Sequence, residues 1–106
     1  MARTLISVPT TAKRGDVIEI KTLVSHPMES GYRVGTNGTM IPRDIIRQFV
    51  CTYNGEDVFR VELSPAIAAN PFISFFIVAT ESGTIAFEWR GDNGFAASEN
   101  AAITIE

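Results

Sequence analysis

The stretch that decides the fold runs from residue 41 to residue 63, "IPRDIIRQFVCTYNGEDVFRVEL". Two runs rich in β-branched and aromatic residues flank Asn54-Gly55. Asn-Gly between such runs is the strongest short-range hairpin signal, because both residues tolerate the positive φ of a type I′ turn. Successive side chains of a strand point to opposite faces. Phe49, Cys51 and Tyr53 therefore share one face of the first run.

Toward the C-terminus, "SPAIAANP" is bounded by Pro65 and Pro71 and holds no more than one helical turn. "FISFFIVAT" follows, a continuous apolar strand of the kind expected when both faces are covered. "GTIAFEWR" alternates, with Ile85, Phe87 and Trp89 inward and Ala86, Glu88 and Arg90 outward. "GDNG" at 91–94 reads as another hairpin turn, and "FAASENAAITIE" closes the chain.

Toward the N-terminus, residues 28 to 41 form a Gly- and Thr-rich loop whose Asn37-Gly38 also suits a type I′ hairpin. "DVIEIKTLV" is a strand with Ile18, Ile20, Thr22 and Val24 on the core face. "AKRGD" is a turn, and "TLISVP" is a first strand closed by Pro9. About seven strands at regular spacing, without a convincing helix, predict an all-β, immunoglobulin-like antiparallel β-sandwich. The Cys…Trp…Cys hallmark of antibody domains is absent, so only the architecture is implied. Residues 1–106 read as a single domain.

Composition agrees. Hydrophobic residues are 45% and charged residues 20%, ordinary values for a globular chain. No apolar stretch approaches the ~20 residues of a transmembrane helix, so no membrane role is expected. The net charge is −3 and no basic cluster stands out, which argues against a nucleic-acid partner. The N-terminal apolar run, Leu5, Ile6 and Val8, is too short for a signal peptide. Taken alone, that suggests a cytoplasmic protein.

The only histidine, His26, lies in "SHPMESGYR", and the only cysteine is Cys51. One His and one Cys cannot supply the three or four ligands of a zinc site without several carboxylates. The single-cysteine, multi-histidine iron sites of some small sandwiches are excluded by count. A Cys51–His26 nucleophilic pair is conceivable, since such partners meet in space. Cys51 among aromatics, however, reads as a packed hydrophobe. Pro27 biases His26 to an extended backbone, so "SHPME" reads as a strand end with Met28 over the core edge. Turn acids such as Glu56-Asp57 are normally solvated. No Walker loop, nucleophile elbow or dinucleotide fingerprint is present. No catalytic residue, cofactor or metal is therefore expected. Such a domain works by offering a surface, and Phe72, Ile73, Phe75, Phe76, Ile77 and Val78 put apolar groups on both faces of one strand. Only one face of a sandwich strand lines its own core, so the other needs cover from a loop or from another subunit.

Together, "IEIKTLVSHPMESGYR", "IPRDIIRQFVCTYNGEDVFRVEL" and "SPAIAANPFISFFIVATESGTIAFEW" resemble the SoxZ family from about residue 16 to the end. "VGTNGTMI" at 34–41 does not match its pattern. The family supplies the smaller subunit of the SoxYZ sulfur-carrier complex of bacterial thiosulfate oxidation. The resemblance implies a β-sandwich paired with SoxY, whose Gly-Gly-Cys-Gly-Gly arm carries sulfur intermediates. A haem cytochrome pair loads thiosulfate onto that arm, and other Sox enzymes dock and process the adduct. It also implies a periplasmic complex exported on SoxY's signal. This sequence ends "NAAITIE" and Cys51 is mid-strand, so it would be the non-catalytic scaffold subunit. His26, Met28, Phe75 and Phe76 are the candidate partner contacts. An unrelated immunoglobulin-like module binding a small ligand or peptide is the alternative, and a small cysteine enzyme a third reading.

Overall fold

A computed structural model describes residues 3–106. Eight strands form two sheets: β1 (Thr4–Ser7), β2 (Thr11–Ala12), β3 (Val17–Val24), β4 (Ile46–Tyr53), β5 (Glu56–Glu62), β6 (Phe72–Val78), β7 (Gly83–Gly91) and β8 (Ala96–Ile105). One sheet has the order β1-β3-β6 and the other β2-β8-β7-β4-β5. This is the expected sandwich with one strand more. The extra strand is β2, which lies between the expected first strand and the "AKRGD" turn, touching the turn only at Ala12, and pairs in parallel with the end of β8. It is only two residues long and lacks an alternation to announce it. The chain thus enters through one sheet and crosses to the other before β3 begins.

The hairpin at Asn54-Gly55 forms as predicted. Tyr53 pairs with Glu56, and Asn54 and Gly55 have φ of 51° and 83°. The loop around Asn37-Gly38 is tight but of a different type. Only Gly38 takes positive φ, and the Gly35 N–H donates to Thr39 O at 2.8 Å. The Asn37 carboxamide oxygen instead accepts from the Thr39 N–H at 3.1 Å. "GDNG" becomes a single 3-10 turn over Asp92–Gly94, still joining β7 to β8.

The core follows the alternation. Ile18, Ile20, Thr22 and Val24 of β3 face Phe49, Cys51 and Tyr53 of β4 and Ile85, Phe87 and Trp89 of β7. Phe49 meets Trp89 at 5.2 Å between ring centroids. Across the gap between sheets, Phe75 of β6 stacks on Phe59 of β5 at 4.2 Å and 7°. Tyr53 ties the β6–β7 connection down. Its hydroxyl accepts from the Thr80 and Glu81 N–H groups at 3.2 and 3.1 Å and donates to the Glu81 carbonyl.

Candidate docking surface

Strand alternation divides β6 into two opposite halves. Ile73, Phe75 and Ile77 turn inward, while Phe72, Ser74, Phe76 and Val78 turn out. The outer half finds no cover among the described residues: Phe72 is 61% and Phe76 64% exposed. Register places neighbours beside them. Leu5 of β1, Leu23 of β3 and Phe72 form one row, and Val17 lies against Val78. Leu5 and Val17 are also exposed. Between these apolar ends runs a polar stripe. Lys21 Nζ lies 3.6 Å from Glu19 Oε1, and the Ser74 hydroxyl donates to Glu19 Oε2 at 3.2 Å.

The other sheet differs. Its outward residues on β7 and β8, from Thr84 to Arg90 and from Ala96 to Thr104, are small, polar or charged throughout. An apolar surface on one sheet and a solvated one on the other give the molecule a preferred side for association, since contiguous exposed apolar area marks interaction sites. The loop between β3 and β4 adds a second apolar spot at exposed Tyr32, Val34 and Met40.

Of the four expected contact residues, only Phe76 presents its side chain. Phe75 is 5% exposed and belongs to the core. His26 is 4% exposed and packs edge-on to Phe95 at 4.7 Å. Met28 is buried as well, and its sulfur accepts a hydrogen bond from the Ile46 N–H at 3.2 Å. The burial of His26 and Met28, the latter expected over the core edge, has a local cause. Met28 adopts a φ of 51°, which turns the chain back and drops both side chains beneath it. No sequence pattern marks a methionine for that conformation.

The histidine loop is built for shape. His26 N–H donates to the Asn70 carboxamide oxygen at 2.9 Å, and the Asn70 N–H returns a bond to His26 O at 2.7 Å. The Met28 N–H donates to His26 Nδ1 at 2.9 Å. With Nδ1 accepting, the ring N–H is on Nε2, which faces Asp44 Oδ1 at 3.6 Å. A ring held so has no lone pair to offer on the Asp44 side.

Cys51 is equally sealed. It is fully buried in β4, and burial pushes its thiol up to about 12. Its thiol donates a long hydrogen bond to Thr52 O at 3.9 Å. A nucleophilic cysteine needs a lowered pKa and access, and Cys51 has neither. No group of three or more His, Cys, Asp or Glu side chains comes together for a metal ion among the described residues. No helix among them is long and apolar enough to cross a membrane.

A family model described as "Sulphur oxidation protein SoxZ" matches residues 6–102. No curated protein sequence matches. Among solved structures, a superoxide reductase (neelaredoxin) from Ignicoccus hospitalis superposes with a TM-score of 0.75 at 18% identity, covering 97% of this chain and 80% of that one. The sulfur carrier protein SoxY from Chlorobium limicola f thiosulfatophilum gives 0.65 at 10% identity, over 97% and 78%. A CARDB domain from Pyrococcus furiosus, solved with di-metal ions, gives 0.53 at 15%, over 100% and 94%. At these identities the likeness is one of fold.

Proposed function

Because this chain belongs to the SoxZ family of sulphur oxidation proteins, we propose that it is the non-catalytic scaffold of a sulfur-carrier heterodimer in thiosulfate oxidation. Its partner is a SoxY-like subunit bearing sulfur intermediates on a mobile cysteine arm, and the pair works in the periplasm, where other Sox enzymes dock on it. The observation that carries this reading is the pairing of a sealed thiol with an open apolar sheet. Cys51 is unable to act as a carrier, because a carrier cysteine must be accessible and ionisable. The β1-β3-β6 surface, with Phe72, Phe76, Val78, Leu5 and Val17, is where the partner sits.

The shape of that surface suits a specific seat. Apolar ends supply the burial, and the Lys21–Glu19–Ser74 stripe sets register, since buried polar groups must be matched across an interface. The edge strand β6 contributes as well, because an open sheet edge can pair with another chain.

Co-expression with a SoxY-like protein tagged on the partner tests the proposal. The chain is expected to co-purify at one-to-one stoichiometry. A Phe72→Asp, Phe76→Asp double variant is expected to remain folded and elute alone. A chain that stays monomeric beside such a protein, or a double variant that assembles as well as the parent, would overturn it.

A further inference from the structure

At the end of the five-stranded sheet, away from the apolar surface, lies a groove of about 440 Å³. Three arginines reach it from different elements: Arg43 before β4, Arg47 within β4, and Arg90 near the end of β7. Local backbone geometry brings them together. The β4–β7 register passes from Ile46↔Gly91 to Gln48↔Arg90, so Arg47 is the extra residue of a β-bulge. Bulges re-aim a side chain. Here Ile45 and Ile46 are both buried and Arg47 is thrown outward.

The three guanidinium groups are not equivalent. Arg43 donates through Nε and Nη2 to the two Asp92 carboxylate oxygens at 2.9 and 3.0 Å. Arg90 Nε donates to Glu88 Oε1 at 2.6 Å. Asp92 and Glu88 thus lock two arginines in place. The Arg47 guanidinium has no hydrogen bond or ion pair among the described residues. The Glu62 carboxylate lines the same groove but forms no ion pair with it. Ser64, whose oxygen accepts from the Ala66 N–H at 3.3 Å, keeps its own hydrogen to donate. Gly91 forms part of the lining as bare backbone: a Cβ there would lie 2.4 Å from Ile45 O.

We propose that this groove is an oxyanion site, in which the unpaired Arg47 fork and the Ser64 hydroxyl hold a divalent tetrahedral anion of the sulfate class. Planar guanidinium groups suit such oxygens because two parallel N–H bonds match two of them. Arg43 and Arg90 are each balanced by a carboxylate, so Arg47 is the cation left free for a ligand. It stands on its own geometry, independent of whether a partner covers the β1-β3-β6 surface. The anion comes either as a free ion or as a sulfonate borne on a protein segment.

The test uses the chain alone, titrated with sodium sulfate and sodium thiosulfate against sodium chloride at matched ionic strength, read by calorimetry and by amide shifts at Arg47, Ser64 and Gly91. Saturable one-to-one binding in the millimolar range is expected. Arg47→Ala is expected to weaken it about tenfold or more, Arg47→Lys to recover only part, and Glu62→Gln to tighten it. An Arg14→Ala control, at an exposed turn outside the groove, is expected to leave it unchanged. A glycine-flanked S-sulfocysteine peptide forms the second arm. Arg47-dependent binding of the peptide without binding of the free ions identifies the protein-borne source and supports the site. Chloride-like shifts with every probe, or binding indifferent to Arg47→Ala, overturn it. Failure of partner assembly leaves these results untouched, so the two proposals fail separately.

Discussion

Replacing Phe75 and Phe76 one at a time by alanine separates the core of this sandwich from its surface. The two residues are adjacent and chemically identical, yet one is 5% and the other 64% exposed. Phe75 lies stacked on Phe59 and 6.0 Å from Phe49. Truncating a buried phenylalanine removes its transfer free energy and leaves a cavity, about 3–5 kcal/mol in all. A domain of this size has about 5–15 kcal/mol to lose. A melting temperature lower by more than about 10 °C is therefore expected. Phe76→Ala creates no cavity in the isolated chain. Its cost is confined to strand preference, under about 1 kcal/mol. Its effect belongs to the complex. A phenylalanine buries about 150–250 Å² when fully covered, so the 64% still open leaves about 100–150 Å² for a partner. At about 25 cal/mol per Å² that is near 3 kcal/mol, an upper bound because association has its own costs. A partner affinity weaker by about 10- to 100-fold follows. Thermal melts of the isolated chains and surface-immobilised binding of the SoxY-like partner supply both readings. Equal losses of stability for the two variants would refute the division of β6 into an inward and an outward half.

Other expectations follow from the same geometry. Native Cys51 should resist thiol reagents at pH 8, where a thiol pushed up to about 12 is ionised to only about one part in ten thousand, and should react once denaturant exposes it. The unfolded chain releases that proton first, so stability should fall as pH climbs from about 9 toward 12, as denaturant melts at stepped pH would record. Tyr53→Phe strands the Thr80 and Glu81 N–H groups and the Glu81 carbonyl, and should cost about 1–3 kcal/mol in a denaturant titration. The Arg43 bond holds the Asp92 carboxyl below its usual range, so its contribution is present above that range and is lost as pH falls through the lowered value. Arg43→Ala should flatten that acid limb.

Much of the sandwich could be read from alternation. The inward sets Ile18, Ile20, Thr22, Val24 and Ile85, Phe87, Trp89 required only a period of two and a decision about which face was greasier. Asn54-Gly55 fixed its hairpin because both residues take the backbone conformation the turn demands. The docking surface was half legible. Apolar groups on both sides of β6 announced a second interface, but an unbroken apolar run has no contrast to tell in from out, so Phe75 and Phe76 could not be distinguished. Met28 does lie over the core edge, as its place after Pro27 suggested. The depth to which His26 and Met28 are buried was not legible, because a single positive φ reverses the loop and tertiary contacts to Asn70 and Ile46 hold it. The arginine groove was invisible. Arg43, Arg47 and Arg90 are scattered in sequence, and only the bulge and the β4–β7 pairing bring them to one place.

The parallel seam between β2 and β8 sets an order of events during synthesis. Thr11 pairs with Thr104 and Ala12 with Ile105, so the crossing strand has no place to rest until nearly the entire chain has left the ribosome. Contacts so distant in sequence form slowly. Throughout that delay the outward half of the β6 ribbon, with Phe72, Phe76 and Val78, is bare, and incompletely paired chains with exposed apolar surface are aggregation-prone. A companion polypeptide engaging that ribbon early would act as a chaperone for the nascent chain as well as a lasting mate.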